Sequence, residues 1–418
     1  MRRVVVTGLG VVSPVGSGSE VFWSNLTAGR SGVRAITLFD AASFPVRIGG
    51  EVLDLDPSVV FAAFPHAATV RDRKVLLGLA AACEAMTHAA PSDEDLRHAV
   101  LVLGVGLEML CLEDLTPHAR APDIGGALAR TVLADNMAQP LQTPLDRTGD
   151  LLGERFGLFG GKYTNCSACA AGAQAIGEAW QLLREGHNDI ALAGATDSML
   201  NPLGLGGFSL LRALSDENDR PERACRPFDA TRQGTVLGEG AAFLILETLD
   251  HALARGATPY AEVVGYASSL DGFRVSDPDP TGQGAVQSMA RALKSADLPG
   301  SAIDCVSAHG TGTPKNDAVE TAAIKDVLGQ HAYDIPVHAV KSMTGHMIAA
   351  SGSCEAVAAV LTLARRQVPP TINLRVPDPE CDLDYVSDGA RPFSGKTVLS
   401  NSFGFGGQNA TLIFRRCE

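Results

Sequence analysis

The sequence predicts a layered α/β fold made of two halves of similar layout. Short apolar runs of strand type recur along the chain, and alanine-rich runs of helix type lie between them. The apolar runs do not alternate with polar residues, which is typical of strands in sheets that are covered on both faces. A chain of 418 residues is long for one domain and suits two packed halves. We therefore predict halves at 1–255 and 256–418, similar in layout but without a strict sequence repeat.

Eight strand-like runs and the helix-like runs between them define these halves. The first half contains the runs "RRVVVTGLGVV", "HAVLVLGVG", "DIALAGATDSM" and "AAFLILET". The second half contains "YAEVVGYASS", "IDCVSAHGTGT", "HAVKSMTGH" and "KTVLSNSFGFGGQNATLIF". Typical helix-like runs are "KVLLGLAAACEAMTHAA" and "CEAVAAVLTLARR". Residues 107–160 follow neither period, and we predict an irregular insertion between core elements there.

The composition indicates a large folded core and narrows the range of partners. Hydrophobic residues make up 45% of the chain and charged residues 19%, which supports a sizeable core and argues against disorder. The net charge of −13 argues against nucleic acid as a partner. An acidic carrier protein would need a local basic patch, which net charge cannot show.

The cysteines and the N-terminus indicate the compartment. Nine scattered cysteines are an odd number and fit reduced cytosolic thiols better than a disulfide framework. The start "MRRVVVTGLGVV" imitates a signal peptide, but its glycines predict a first strand and its turn. No run approaches the roughly 20 apolar residues that span a bilayer. We predict a cytoplasmic protein with no membrane and no nucleic-acid partner.

Two cysteines lie three residues apart in "TNCSACAAGAQAIGEAW", at Cys166 and Cys169. Apolar residues at helical spacing follow Cys169, so it lies at or near a helix N-terminus. The N–H groups and macrodipole there favour an anion, which predicts a lowered thiol pKa. Gly172, one turn later, is predicted to leave room for a substrate. Inert packing, a redox pair and a zinc site are the alternatives, and this stretch alone does not decide among them.

Two histidines lie where strand-like runs give way to turns of small residues. His309 precedes "GTGTPKND", and Lys341 and His346 lie in "VKSMTGH". A lone histidine is more often a surface residue or a satisfied core residue, but two in such turns favour a site. With Cys169 they also make a possible zinc set. The three positions are far apart in the sequence, however, and acyl chemistry explains the glycine-rich loops better.

Five ordered segments carry a family resemblance that runs nearly end to end. The sequence resembles the β-ketoacyl-acyl-carrier-protein synthases of the condensing-enzyme family. This resemblance implies the thiolase-like fold, with two similar βαβαβ halves in a layered αβαβα arrangement. The segments are "SACAAGAQAIG", "RPFDATRQGTVLGEGAAFLILE", "AHGTGTPKND", "VKSMTGH" and "NSFGFGGQNATLIF". Five such motifs in order are highly specific, whereas one alone is not.

The resemblance implies the catalytic roles. Cys169 is the nucleophile that accepts an acyl chain from a carrier thioester, and a thiolate suits this because it is both a good acceptor and a good leaving group. His309 and His346 assist decarboxylation of malonyl-carrier and stabilise the enolate, which needs N–H donors aimed at its oxygen. Lys341 supports these electrostatics. The loop after His309 has the family's acidic residues, Asp317 and Glu320, and we predict a catalytic role for Glu320.

The resemblance also implies the residues that hold substrate. The backbone N–H groups of Cys169 and Phe405 form the oxyanion hole, and Phe405 gates the acyl pocket. Thr311 and Thr313 contact the phosphopantetheine arm of the carrier, whereas Cys166 is a small packed residue. The other predicted substrate-binding residues are Glu108, Met109, Phe403 and Asp271.

Cys166 and Ser167 stand where simpler family members often carry small apolar residues, and four further residues depart from the family pattern. Gln233 and Thr235 stand where aspartate and phenylalanine are common, and the matching phenylalanine lies near the nucleophile. Glu108 and Met109 stand in a glycine-rich segment that borders the acyl tunnel and the dimer partner. A carboxylate beside an alkyl chain is costly unless it is paired. We predict that Glu108 lies at a subunit interface near the deep end of the tunnel and favours short or polar acyl groups.

The resemblance leaves the pathway and the partner subunit open. The C-terminal half is closer to type II polyketide ketosynthases, and the mixture of motifs resembles those of reducing or polyene-forming systems. Housekeeping fatty-acid elongation is the alternative. A coenzyme A-dependent thiolase would need a late second cysteine, and a non-catalytic chain-length-factor subunit would lack Cys169. We predict an acyl carrier protein as partner, a homodimer or a heterodimer with a chain-length-factor paralogue, and no cofactor or metal beyond the carrier's phosphopantetheine.

Overall fold

The computed structural model describes residues 1–108, 122, 123, 125, 126, 129 and 143–417. Its main sheet joins two sets of five strands, one from each half of the chain. The first set, in spatial order, is β6 (Lys162–Asn165), β5 (Val100–Val105), β7 (Ile190–Ser198), β8 (Glu239–Thr248) and β1 (Val4–Ser13). The second set is β11 (Val337–His338), β10 (Cys305–Ser307), β14 (Thr397–Gly404), β15 (Gln408–Arg415) and β9 (Ala261–Leu270).

The two sets have the same topology. In each, the third strand in chain order lies at the edge, followed by the second, fourth, fifth and first. In each, the three strands nearest that edge are parallel, and the remaining two pair antiparallel. A short antiparallel pairing from Val4↔Val263 to Val6↔Ala261 joins the sets. The predicted thiolase-like fold of two similar halves is therefore confirmed.

Helices form the remaining layers. In chain order they are α1 (Ser19–Thr27), α2 (Pro57–Ala63), α3 (Arg73–Ala89), α4 (Asp93–His98), α5 (Arg147–Phe156), α6 (Ala171–Glu185), α7 (Pro202–Leu210), α8 (Leu249–Ala254), α9 (Gln283–Ala296), α10 (Pro314–Leu328), α11 (Lys341–Thr344) and α12 (Ser351–Arg365). Helix α3 covers the outer face of the first set, and α9 covers that of the second. Helices α6 and α12 lie between the sets and contact each other. The described strands also include the short β2 (Gly16–Ser17), β3 (Val33–Ala35), β4 (Ile48–Gly50), β12 (Gln367–Val368) and β13 (Arg391–Pro392).

Small residues allow the two central helices to approach closely. A Cβ atom added at Gly172 of α6 would lie 2.7 Å from the backbone nitrogen of Ser353 and 2.8 Å from the carbonyl oxygen of Ala349. The prediction that Gly172 leaves room for a substrate is therefore wrong, because α12 and the turn before it occupy that space. Close packing here seats the turn that carries Cys169 against the other half.

The structure refines two predictions, one about the irregular insertion at 107–160 and one about the absence of membrane-spanning segments. Part of the predicted irregular insertion is helical, since α5 buries Leu151 and Leu152 against the core. The helical stretch 348–365 is long and apolar enough to cross a membrane, yet 89% of it is buried inside the protein. It is the core helix α12 with the turn before it. Within the described ranges no other helix meets that length and composition.

Candidate active site

A cavity of about 400 Å³ opens where the two halves meet. Cys169 and Phe208 of the first half line it, together with His309, His346 and Phe405 of the second half. The two halves thus bring together the predicted nucleophile and both predicted histidines. Residues more than 170 positions apart in sequence share one pocket because equivalent strand ends of the two halves meet here.

Cys169 lies in the 3₁₀ turn Ala168–Ala170, which leads directly into α6. The thiol is 3% exposed, and burial raises its pKa to about 11, although the backbone N–H groups of Phe405 and of Cys169 itself act in the opposite direction. The predicted lowering of the thiol pKa is therefore wrong in this resting state. Desolvation of a thiolate outweighs the helix terminus and the two N–H donors.

The glycine-rich loop after β14 passes against the nucleophile. A Cβ atom added at Gly404 would lie 3.0 Å from the nitrogen of Cys169, so only glycine fits there without a shift. This approach brings the N–H of Phe405 to the sulfur of Cys169. The half-buried Phe405 ring packs on Phe208, with ring centroids 5.9 Å apart. The backbone N–H groups of Cys169 and Phe405, which are the two predicted oxyanion donors, thus both reach the Cys169 sulfur. Phe405 is also the predicted gate.

Lys341 orients the imidazole of His309. Its buried ammonium group donates to Nδ1 of His309 at 3.1 Å and to the carbonyl oxygen of His309 at 2.7 Å. Because an ammonium group has only donors, Nδ1 must accept and the ring proton belongs on Nε2. Glu355 on α12 accepts a third hydrogen bond from the same ammonium group.

Ser351 orients the imidazole of His346. Its Oγ lies 2.8 Å from Nδ1 of His346 and accepts a hydrogen bond from the N–H of Met347 at 2.9 Å. Nδ1 of His346 is the acceptor in reach for the hydroxyl proton, which again assigns the ring proton to Nε2. Both histidines therefore keep an Nε2–H donor for a ligand in the cavity.

The two imidazoles are neutral and close together. Their ring centroids lie 5.3 Å apart in an edge-to-face arrangement. Burial and the charge of Lys341 hold the pKa of His309 and of His346 well below the usual range. Two neutral N–H donors side by side suit an oxygen on which negative charge develops.

The two acidic residues, Glu320 and Asp317, lie beneath the loop that follows His309, here called the first histidine loop. Glu320 accepts from the N–H groups of His309 and Gly310, both at 2.8 Å, and from the side chain of Asn401. Asp317 accepts from the N–H of Gly312 at 3.2 Å and from that of Phe228 at 2.8 Å. Neither carboxylate lines the cavity. The structure thus makes Glu320 a positioning residue that fixes the loop, in place of the catalytic role predicted for it.

Four other predicted binding residues, Thr311, Thr313, Phe403 and Asp271, line the same cavity. The hydroxyl groups of Thr311 and Thr313 are 2.9 Å apart and line the cavity, as does Phe403 beside His309. Asp271 also lines the cavity, and it accepts a hydrogen bond of 2.6 Å from Asn409 while its backbone bonds the Gly407 carbonyl. Asp271 therefore anchors the glycine-rich loop as well as the cavity wall.

Three predictions concern residues that directly follow the neighbouring strands β5 and β6. Glu108 is exposed in the single chain, and Met109 lies outside the described residues. Cys166 is also exposed, with its sulfur 3.6 Å from the carbonyl oxygen of Gly106. The prediction that Cys166 is a packed residue is wrong for this chain. Cys166 directly follows β6, which is the last strand in the order of the main sheet that the described residues form and pairs there with β5.

Sequence reasoning missed two residues that orient the site, Ser351 and Glu355. A signal was present for Glu355, which is the one acid in the apolar run "SGSCEAVAAVLTLA". A buried acid in such a helix predicts a buried cation as its partner. For Ser351 no comparable signal exists, because serine before a helix is usually only a cap.

Family models for both halves match the chain. The "Beta-ketoacyl synthase, N-terminal domain" model matches residues 1–252. The "Beta-ketoacyl synthase, C-terminal domain" model matches residues 260–375.

Full-length relatives agree with this match. A 3-oxoacyl-[acyl-carrier-protein] synthase 2 of Synechocystis sp. is 42% identical over 100% of this chain and 99% of its own. A putative polyketide β-ketoacyl synthase 1 of Streptomyces cyaneus is also 42% identical, over 99% of this chain and 98% of its own. Among solved structures, the ishigamide ketosynthase/chain length factor is similar with a TM-score of 0.85 and 35% identity, covering 100% of both chains. The protein therefore belongs to the β-ketoacyl synthase family and is a β-ketoacyl-acyl-carrier-protein synthase, of either the fatty-acid type or the type II polyketide type.

Proposed function

We propose that this enzyme extends carrier-bound chains in a type II polyketide pathway of the reducing or polyene-forming kind, by decarboxylative Claisen condensation. The observation that best supports this reaction is that two pairs of hydrogen-bond donors lie around one buried cysteine. Two backbone N–H groups face the sulfur of Cys169, and two Nε2–H groups belong to His309 and His346. Each donor set suits one of the two oxyanions that a condensation generates.

In the first step, Cys169 takes the acyl group from a carrier thioester. The bond from the carbonyl carbon to the Cys169 sulfur forms, and the bond to the carrier sulfur breaks. The Cys169 proton leaves with the carrier thiol, so no separate base is consumed. The N–H groups of Cys169 and Phe405 stabilise the tetrahedral oxyanion, and the raised thiol pKa means that deprotonation accompanies attack.

In the second step, malonyl-carrier loses CO2. The bond between its carboxylate and its methylene carbon breaks, and the electron pair forms an enolate whose oxygen accepts from both Nε2–H groups. The methylene carbon then attacks the acyl carbonyl on Cys169. The 3-oxoacyl-carrier leaves, and the Cys169 sulfur takes up one proton from solvent.

The direct test of this function uses the purified enzyme with an acyl-carrier and malonyl-carrier. Mass spectrometry should detect the 3-oxoacyl-carrier, lengthened by two carbons, together with release of CO2. Preferential extension of unsaturated starters over saturated ones separates the proposed polyketide pathway from the fatty-acid pathway. Saturated starters of all lengths used equally well would favour fatty-acid elongation.

The carrier protein is proposed to dock around the cavity mouth. Arg212 and Lys315 line the mouth, and Arg274 lies beside it; Lys315 and Arg274 share one ion-pair partner, Asp277. Leu210, Leu211 and Phe273 are exposed large apolar side chains on the neighbouring segments. Cations around an apolar rim in a protein of net charge −13 supply the local basic patch that an acidic carrier needs.

We expect Arg212→Glu to raise the KM for carrier-bound substrates about tenfold and to leave kcat nearly unchanged. Charge reversal at the mouth slows encounter with an acidic partner without touching the reacting atoms. Steady-state kinetics at low and high salt measure this effect, which salt should diminish. Arg291→Glu, an exposed residue on the outer helix α9, is the matched control and should change neither constant. Equal KM values for Arg212→Glu and the wild type would remove this docking surface.

The partner subunit is proposed to cover the edge of the sheet at β6. Phe159 is 77% exposed and Tyr163 52% exposed beside this edge, and an open edge strand of this kind invites pairing. A second copy of the chain and an inactive chain-length-factor paralogue are the two candidates. Native mass spectrometry of the chain alone and co-expressed with such a paralogue distinguishes them. We place the assembly in the cytoplasm.

Glu108 is proposed to limit the acyl chain from this interface. We expect Glu108→Gly to widen the range of accepted chain lengths without abolishing turnover, because a carboxylate near the tunnel end disfavours long saturated chains. Rates with a series of acyl-carriers measure the range. Glu380→Gly, at another exposed loop position, is the control. Identical chain-length profiles for Glu108→Gly and the wild type would contradict the proposal.

A further inference from the structure

Thr235 has a buried hydroxyl group without a partner in the wall of the active-site cavity. The residue lines the cavity beside Cys169, His309 and His346, and it is 4% exposed. Its Oγ1 makes no hydrogen bond to any residue that the structure describes. Buried hydroxyl groups are nearly always bonded, so an unpaired one in a substrate cavity points to a bond that forms only with the ligand.

The backbone around Thr235 is held on both sides. Its N–H donates to Ala213 at 2.9 Å, and its carbonyl oxygen accepts from Ser215 at 2.8 Å. The preceding Gly234 donates to the carbonyl oxygen of Gly312 in the first histidine loop, and the following Val236 accepts from the N–H of His346. Thr235 is therefore fixed between the loop that carries Thr311 and Thr313 and the catalytic His346. Because Thr311 and Thr313 are predicted to contact the carrier arm, we expect the malonyl unit to arrive next to Thr235.

A single rotation brings the hydroxyl group to the cavity. The residue lines the cavity while Oγ1 is covered, so the hydroxyl group does not face the open space in the resting enzyme. A ~120° step about χ1 moves the hydroxyl group to another staggered position without moving the backbone. An acceptor that enters the cavity gives the hydroxyl group the partner that it lacks in the resting enzyme.

The other oxygens of the substrates already have donors. The acyl oxygen on Cys169 is served by two backbone N–H groups, and the malonyl thioester oxygen by the two Nε2–H groups. The side-chain amide of Asn409 is occupied by Asp271 and by the Gly407 carbonyl. The malonyl carboxylate is the acceptor that remains. We propose that Thr235 donates its O–H to this carboxylate and so positions the extender unit for loss of CO2.

This inference rests on the proposed function and makes Thr235 a specificity-determining residue for the extender. The hydrogen bond forms when malonyl-carrier binds and is kept until the carbon–carbon bond breaks, so it stabilises the bound substrate and the transition state equally. It therefore contributes to binding of malonyl-carrier and not to the rate of decarboxylation. A mutation that removes binding of this kind raises KM and leaves kcat unchanged.

The test compares Thr235→Val, which keeps the shape and removes the hydroxyl group, with Thr235→Ser, which keeps the hydroxyl group. We expect Thr235→Val to raise the KM for malonyl-carrier about tenfold, equivalent to ~1.4 kcal/mol, with kcat within about twofold. Acyl loading of Cys169 should stay at the wild-type rate, and Thr235→Ser should resemble the wild type. Ser215→Ala is the matched control, because Ser215 also has a buried, unpaired hydroxyl group but does not line the cavity.

Binding of amide-linked malonyl-carrier and acetyl-carrier analogues provides a readout that does not depend on turnover. The wild type should bind the malonyl form about tenfold more tightly than the acetyl form, and Thr235→Val should bind the two equally. An unchanged KM in Thr235→Val, or an equal rise of KM in Ser215→Ala, would overturn the inference about Thr235. The proposed function would still stand in that case, provided that the wild type turns over. A wild-type enzyme that makes no 3-oxoacyl product would overturn the proposed function and the inference with it.

Discussion

Cys169→Ala should lose acyl loading and reduce condensation by roughly 10⁴-fold or more, since removal of a covalent nucleophile is among the largest single losses in an enzyme. Cys169 is the cysteine toward which two backbone N–H groups converge at the floor of the cavity. Incubation with acyl-carrier followed by peptide mass spectrometry locates the acyl group. The variant should still release CO2 from malonyl-carrier, because His309 and His346 remain in place.

Cys166→Ala is the matched control and should keep both acyl loading and condensation. Cys166 is exposed and does not line the cavity, although it is only three residues away. An acyl adduct on Cys166 with Cys169 unmodified would reverse the assignment. The pH dependence of alkylation adds a second check: with a thiol pKa of about 11, the rate at Cys169 should keep rising from pH 7 to pH 10. An alkylation rate that levels off below pH 7 would instead support the lowered thiol pKa that the sequence predicts.

His309→Ala and His346→Ala should each slow decarboxylation of malonyl-carrier by roughly 10²- to 10³-fold, the usual cost of one oxyanion donor. Acyl transfer to Cys169 should fall far less, because its donors are the backbone N–H groups of Cys169 and Phe405. Release of CO2 and single-turnover acylation measure the two steps separately. The two variants should be strongly non-additive, since one enolate oxygen accepts from both imidazoles.

His309→Gln and His346→Gln test whether the imidazoles act as donors. A glutamine side chain can place an N–H group near the position of Nε2, so each variant should recover part of the decarboxylation that alanine loses. Neutral imidazoles with low pKa values predict no ionisation of either ring between pH 6 and pH 8. Variants that decarboxylate normally but fail to acylate would show that the roles are inverted.

The sequence by itself determined the layered fold, the order along the chain of every central strand except β6 (Lys162–Asn165), and the candidate catalytic residues. Unbroken apolar runs require sheets that are covered on both faces, and β1, β7 and β8 are indeed buried along their whole length. The resemblance of five ordered motifs to the β-ketoacyl synthases then indicated Cys169, His309, Lys341 and His346. The structure brings all four together.

Only the tertiary structure decided how these groups are charged and oriented. The raised pKa of Cys169 depends on complete burial, which no local pattern reveals, and local reasoning from the helix N-terminus therefore gave the wrong direction. The same holds for Glu320, which faces away from the cavity, and for Glu355 and Ser351, which orient the lysine and the second imidazole from α12. Desolvation and hydrogen bonding depend on which atoms surround a group in space, and those atoms come from segments far apart in the chain.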